Sequence, residues 1–294
     1  MRITALAALP AFLLLAAAPP KLQTPTDIMN AAPRSDWVEI PAQDLLQLEL
    51  KDGRKIVIQL ASAFAPVHVA NIRALAKGGW WDNAAIYRVQ ENYVVQWGNN
   101  DGDRKLPDDV VAKPPAEYAR SMKGLKIVPL GSPDAYAPKA GFASGWPVAY
   151  DPKSGTANLT HCYSTVGVGR DLSPDTGTGG ELYAVIGQAT RQLDRNIAQV
   201  GRVVSGFEAM TTLPRGTEAL GFYKERTSDV PIKSARLMSD LPENERTRFE
   251  YLSGPSFAAY LRKRANRHDD FYIRPAGGVD VCNVNVPVRI VPKG

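Results

Sequence analysis

The stretch LLQLELKDGRKIVIQL, residues 45–60, constrains the fold more than any other part of the chain. Leu46, Leu48 and Leu50 share one face of an extended backbone, and Ile56, Ile58 and Leu60 share one face of the next, because strand side chains alternate. Asp52-Gly53 between them supplies the positive φ that a two-residue hairpin needs. An isolated hairpin is marginal in water, so its apolar face requires further strands. IYRVQENYVVQWGNND (86–101), CYSTVGVGR (162–170), ELYAVIG (181–187), LDRNIAQVGRVVSGFEAM (193–210) and DVPIKSARLM (229–238) offer them. Arg88 and Gln96 occupy interior positions of two of these strands, where apolar residues would be ordinary.

Helices are few. APVHVANIRALAKGGWWDN (65–83) places Val69, Ile72 and Ala76 at helical spacing, with Leu75 beside them. Pro66 suits the first turn, where its missing N–H costs nothing, and Gly78-Gly79 stops the helix after Lys77. GPSFAAYLRKRANR (254–267) puts Phe257, Tyr260 and Leu261 on one face and Arg262, Lys263, Arg264 and Arg267 on the wet side. Its docking on the rest of the protein is the simpler reading; an anionic partner is the other. In VDVCNVNVPVRIV (279–291) the apolar phase changes near Cys282, which predicts a bulge or turn, and Pro287 confines any strand there to an edge.

The remainder divides the chain. MRITALAALPAFLLLAAAPP opens with Arg2, an apolar run from Ala5 to Ala18 and small residues before Pro19, the layout of a signal peptide over 1–18. The run is short for a membrane span, so no stable insertion is expected after cleavage; an uncleaved N-terminal anchor is the alternative. An exported, periplasmic location follows. Residues 19–40 read as a loose leader. Residues 100–160, rich in proline from Pro107 to Pro152, read as a long irregular insertion. A main domain over 41–240 and a C-terminal extension over 241–294 complete the organisation.

Net charge is +5, but Lys and Arg are scattered without a basic stripe, so nucleic acid is not an expected partner. The two cysteines, Cys162 and Cys282, permit a disulfide in an exported protein and equally permit two buried thiols. His161-Cys162 and distant His68 lack ligand spacing, so no metal site is expected. His268-Asp269-Asp270 reads as a solvated helix end, and the GTGG before Glu181 as a turn.

Val69-Ala70-Asn71, Gly79-Trp80-Trp81-Asp82, Ile86-Tyr87-Arg88 and Gln96-Trp97-Gly98-Asn99 follow one another as in the cyclophilin family of peptidyl-prolyl isomerases, which the chain resembles over roughly residues 42–240. In that family a Val-Ala-Asn-Phe-like helix leads through Gly-Tyr-Tyr-Asp to a Phe-His-Arg strand, and a Gln-Gly-Gly-Asp turn closes the next. STVGVGRDLSPDTGTGGELYAVIG and LDRNIAQVGRVVSGFEAM are similar to two later segments, in the same order. The resemblance implies a mainly β fold, a closed eight-stranded antiparallel barrel capped by two helices, with the substrate groove on its outer surface. It also implies isomerisation of Xaa-Pro bonds in unfolded or extended polypeptides by a monomer without a cofactor, assisting folding of exported proteins. A non-catalytic peptide-binding or chaperone module is the alternative.

By position, Arg88 matches the catalytic arginine and Gln96 the glutamine that orients it. Tyr93, Val94, Leu182, Tyr183 and Leu193 match the proline pocket, and Gly167 and Val168 the stretch whose backbone meets the peptide. Glu181, Gln192 and Ile197 fall at further substrate-binding positions. Departures are concentrated there. Tyr183 replaces a Phe and adds a hydroxyl that needs a partner; Val94 replaces Met, Glu181 Gln, Ile197 His, and Tyr87 the His before the arginine. Gln192 stands where many members have Trp or Phe.

Overall fold

The computed structural model describes residues 22–99, 104–188, 190–269 and 271–292; the signal-peptide reading of 1–18 lies outside them, as does Asp270. Eight strands form a closed antiparallel barrel: β1 (Leu45–Leu50), β2 (Lys55–Leu60), β3 (Ala85–Val89), β4 (Val94–Gly98), β5 (Thr165–Val168), β6 (Leu182–Val185), β7 (Gln199–Ser205) and β8 (Val230–Leu237). Around the barrel the order is β5-β6-β4-β3-β8-β1-β2-β7, and β7 pairs back onto β5. Closure leaves this sheet without a free edge. Leu46, Leu48, Leu50, Ile56 and Ile58 all reach its interior and are fully buried, as the hairpin alternation requires.

Among the described residues four α-helices accompany the strands: α1 (Pro25–Ala31), α2 (Pro66–Lys77), α3 (Glu208–Thr211) and α4 (Gly254–Ala265). The apolar faces of α2 and of the one-turn α3 close over the barrel core, through Val69, Ile72 and Leu75 from one and Ala209 and Met210 from the other. Beyond α2, the indole N–H groups of Trp80 and Trp81 both donate to the Gly180 carbonyl, at 3.1 and 3.0 Å. A Cβ on Gly180 would stand 2.9 Å from Trp80, so only glycine lets the two rings hold this loop, and with it Glu181.

Two expectations need correction. From residue 22 on, the leader is not loose. Thr24 caps α1 in a reciprocal box with Asp27, Pro25 begins the helix, and Trp37–Glu39 pairs with Phe249–Leu252. Nor is the insertion irregular between 120 and 159. It carries a five-stranded antiparallel sheet of 120–121, 127–129, 139–143, 146–151 and 156–159, packed around Trp146, Val148, Tyr150 and Leu159. Its strands are short, with Pro129 ending one and Pro147 near the start of another, so no long apolar period survives in the sequence.

Insertion, leader and C-terminal extension share a second core. Leu130, Ala140 and Phe142 meet Trp37, Phe257, Tyr260, Leu261 and Val281. Phe142 and Phe257 pack edge to face at 5.3 Å. The phase change at Cys282 is a single 3-10 turn, Val281–Asn283, after which Val288–Ile290 forms an edge strand beside Phe249–Leu252. Cys162 and Cys282 are joined as a disulfide, S–S 2.04 Å, which ties that turn to the segment leading into β5. Among the described residues no helix is long and apolar enough to cross a membrane.

Candidate active site

A register shift between Ile86 and Arg88 sets the site. Strict alternation would put Arg88 on the same face as Ile86. Instead Ile86 and Val89 both enter the barrel core, and Tyr87 and Arg88 lie outside that core. One extra residue in the strand turns two consecutive side chains outward. On β4, Val95 and Trp97 point inward, so Gln96 faces out opposite Arg88, its cross-strand neighbour.

Arg88 is half-buried and held by three acceptors. Its Nη1 donates to Gln96 Oε1 at 3.0 Å, its Nε to the Leu220 carbonyl at 2.7 Å, and its Nη2 to Gln90 Oε1. The guanidinium lies 5.4 Å from the Phe222 ring centroid and 5.9 Å from that of Tyr93. Burial lowers its pKa, and the group remains a cation at neutral pH. Gln96 Nε2 donates to the Tyr87 hydroxyl at 2.8 Å, and that hydroxyl donates to Glu181 Oε2. Burial and the Glu181 carboxylate both push the Tyr87 phenol up, so it stays protonated.

Beside Arg88, Val94, Tyr183 and Val185 are buried together with Tyr93, Leu193 and Ile197 packed against them. This apolar cluster lies apart from the barrel interior, on the outer side of β4 and β6. Five residues assigned to the proline pocket or its rim therefore meet, and Val185 joins them; ordinary strand alternation from Tyr183 signals its place. The Tyr183 hydroxyl has its partner: His161 Nε2, 2.9 Å away. His161 Nδ1 lies 3.0 Å from Asp194 Oδ1, and burial holds its imidazole below the usual pKa, which favours the neutral form.

Asp194 in turn accepts from Arg191 Nε at 2.5 Å, and Arg191 forks onto Asp134 of the insertion at 2.9 and 3.0 Å. The insertion thus reaches the 3-10 turn Arg191–Leu193 that carries the pocket wall. Sequence separation hid all of this: Asp134 is 57 residues from Arg191, and nothing local marks it.

Other assigned residues fall elsewhere. Leu182 does not line the groove; its side chain is in the barrel core, on the inward phase of β6, as is the Val168 side chain on β5, whose assigned role is a backbone one. Gly167 and Val168 lie within the closed ladder, opposite Tyr183 and Leu182. Gly167 serves the pocket by absence: a Cβ there would stand 2.3 Å from the Tyr183 hydroxyl. Gln192 is exposed on the rim. Glu181 reaches Tyr87 rather than the apolar cluster. Sequence reading missed Gln90, Leu220 and Phe222 as supports of Arg88. His68 and His161 are buried in separate places, bonded to Glu117 and Asp194, and the described residues hold no cluster of three metal-ligating side chains.

A cation with N–H groups left to donate, set beside an apolar cluster with aromatic members, suits an Xaa-Pro peptide bond. Residues 45–237 match the sequence model of the family described as cyclophilin type peptidyl-prolyl cis-trans isomerase/CLD. Two curated proteins named probable peptidyl-prolyl cis-trans isomerase, from Brucella suis biovar 1 (strain 1330) and Brucella abortus (strain 2308), are 24% and 23% identical over 172 residues, covering 58% of this chain and 72% of theirs. The crystal structure of cyclophilin AquaCyp293 from Hirschia baltica superposes with a TM-score of 0.69 at 22% identity, covering 92% of this chain and 98% of that one, and so shares the fold including the additions to the barrel. The barrel, its bulged arginine strand and the match over most of its length place this chain in the cyclophilin-type peptidyl-prolyl cis-trans isomerase family.

Proposed function

We propose that the chain accelerates cis-trans isomerisation of Xaa-Pro bonds in extended polypeptides, with Arg88 as the catalytic group. The uncatalysed barrier is about 18–20 kcal/mol because resonance stiffens the C–N bond. As the bond twists, the prolyl nitrogen becomes pyramidal and gains a lone pair. A guanidinium N–H aimed at that nitrogen forms a bond that exists only in the twisted state, so it lowers the barrier rather than merely binding. Gln96 fixes the guanidinium, and the cup of Tyr93, Val94, Tyr183, Leu193 and Ile197 holds the proline ring. The observation that carries this reading is the outward Arg88–Gln96 pair beside that cup.

The same reading includes action as a monomer in an exported compartment, assisting folding there. Export is supported by the apolar N-terminal run and by the Cys162–Cys282 bridge, which persists in oxidising surroundings. N-terminal sequencing of the exported protein and its mass in solution check these two points. For the activity itself, NMR exchange on an Xaa-Pro peptide with substoichiometric protein is expected to show accelerated interconversion. A peptide that binds without acceleration would instead support a holding module.

A further inference from the structure

We propose that Glu181 is a positioning residue for Arg88, acting through Tyr87 and Gln96; this rests on the reading of Arg88 as the catalytic group. The geometry is a directed chain across β3, β4 and the residue before β6: Arg88 Nη1 to Gln96 Oε1, Gln96 Nε2 to Tyr87 Oη, Tyr87 Oη to Glu181 Oε2. Each link fixes the next. An ionised carboxylate only accepts, so the single phenol proton must point at it. The phenol oxygen then has its lone pairs free for the Gln96 amide N–H. That in turn leaves the Gln96 carbonyl, not its NH2, facing the guanidinium. The opposite amide orientation would set donor against donor.

Two glycines make room for this carboxylate. A Cβ on Gly98 would stand 2.0 Å from both Glu181 oxygens, and one on Gly169 would stand 3.0 Å from the Glu181 Cβ and 3.4 Å from Gln96 Nε2. The backbone N–H of Asn99 also donates to Glu181. Of the ionisable groups, Tyr87 and Arg88 belong to this chain and Tyr93 faces Arg88; Arg170, next along from Gly169, turns away to the Asn196 and Asp171 carbonyls. Burial lifts the Glu181 pKa to about 7, against the lowering effect of the Tyr87 and Asn99 hydrogen bonds. Below that pH the acid carries its own proton. It then competes with Gln96 for the phenol oxygen, and the amide keeps only its bond to Arg88 and loses its second anchor.

The test has two readouts on the full mature chain. In NMR titration, the Gln96 side-chain amide and Arg88 Nε resonances are expected to move with the Glu181 carboxyl, around pH 7. In Tyr87→Phe, Glu181 still titrates but those two resonances no longer follow it. In exchange kinetics, kcat/KM is expected to fall by up to about tenfold from pH 8 to pH 6, following the ionised fraction of one group near pH 7, with KM little changed. Glu181→Gln flattens that profile, which mere loss of stability would not do. Wild-type Gln96 and Arg88 resonances that ignore Glu181, or a Glu181→Gln enzyme that keeps the pH profile, overturn the proposal. Absence of any acceleration by wild type would overturn the isomerase reading instead, and the titration would still decide whether the link exists.

Discussion

Asp134→Asn is the substitution that most sharply separates an insertion that builds the pocket from one that decorates the barrel. The Asp134 and Arg191 side chains are each 1% exposed, and they meet through two parallel hydrogen bonds at 2.9 and 3.0 Å. Asp134 also accepts from the backbone N–H groups of Tyr136 and Ala137, each at 2.9 Å. An asparagine keeps the size but loses the charge, and its one carbonyl oxygen cannot serve all four donors. Arg191 retains Asp194 as a partner, so the loss belongs at the low end of the range for breaking a buried pair, about 3 kcal/mol. That is a shift of more than a hundredfold in the folded-to-unfolded ratio. Urea unfolding with unchanged m measures it. Arg191→Gln should cost more, because it takes the cation from Asp194 as well, and the double variant should cost much less than the sum of the two. Because Arg191 begins the turn carrying Leu193, KM for an Xaa-Pro peptide should rise while kcat changes less. A loss under about 1 kcal/mol, with KM unmoved, would refute the link from insertion to pocket.

Three further outcomes are expected. Tyr183→Phe should lose about 1–3 kcal/mol, because it strands the buried His161 Nε2; thermal unfolding reads this. Opening the Cys162–Cys282 bridge, by reductant or by a double Cys→Ser variant, should cost on the order of 4–5 kcal/mol for a closed loop of this length, seen as a lower urea midpoint. Two buried groups should oppose each other in the pH dependence of stability. Buried neutral His161 has a lowered pKa, so below about pH 6.5 the unfolded chain binds the extra proton and stability falls with falling pH. Glu181 has a raised pKa of about 7, so between roughly pH 4.5 and pH 7 the folded chain binds the extra proton and stability grows with falling pH. Each slope is at most about 1.4 kcal/mol per pH unit. Glu181→Gln should therefore unmask a steeper loss between pH 6.5 and pH 5 than wild type shows, and identical slopes would contradict the assignment of either group.

The barrel was legible because its strands write their burial as alternation, and α2 because Pro66, Lys77 and Gly78 mark both ends. The order of the Arg88 and Gln96 strands exposed the family, since both side chains break an apolar pattern. Three kinds of feature were not legible. Periodicity cannot foresee a bulge, so it could not show that Ile86 and Val89 share a face while Tyr87 and Arg88 leave it. Position in a motif does not separate an inward side chain from its outward neighbour, which is why the resemblance groups Leu182 with Tyr183. Partners far apart in the chain carry no local mark: Asp134, Arg191 and His161 meet only because the insertion folds into a sheet, and its strands are too short to display a period. The leader did carry a signal that went unread, the capping box of Thr24 and Asp27 with Pro25 between them.

The isomerase account is tested most directly by Arg88→Ala, with exchange rate and peptide affinity measured on the same Xaa-Pro peptide. The guanidinium is assigned to the twisted state, so exchange should fall at least tenfold, a loss of about 1.4 kcal/mol or more of transition-state stabilisation, while affinity for the peptide changes little. Undiminished exchange, or a loss confined to affinity, would contradict it.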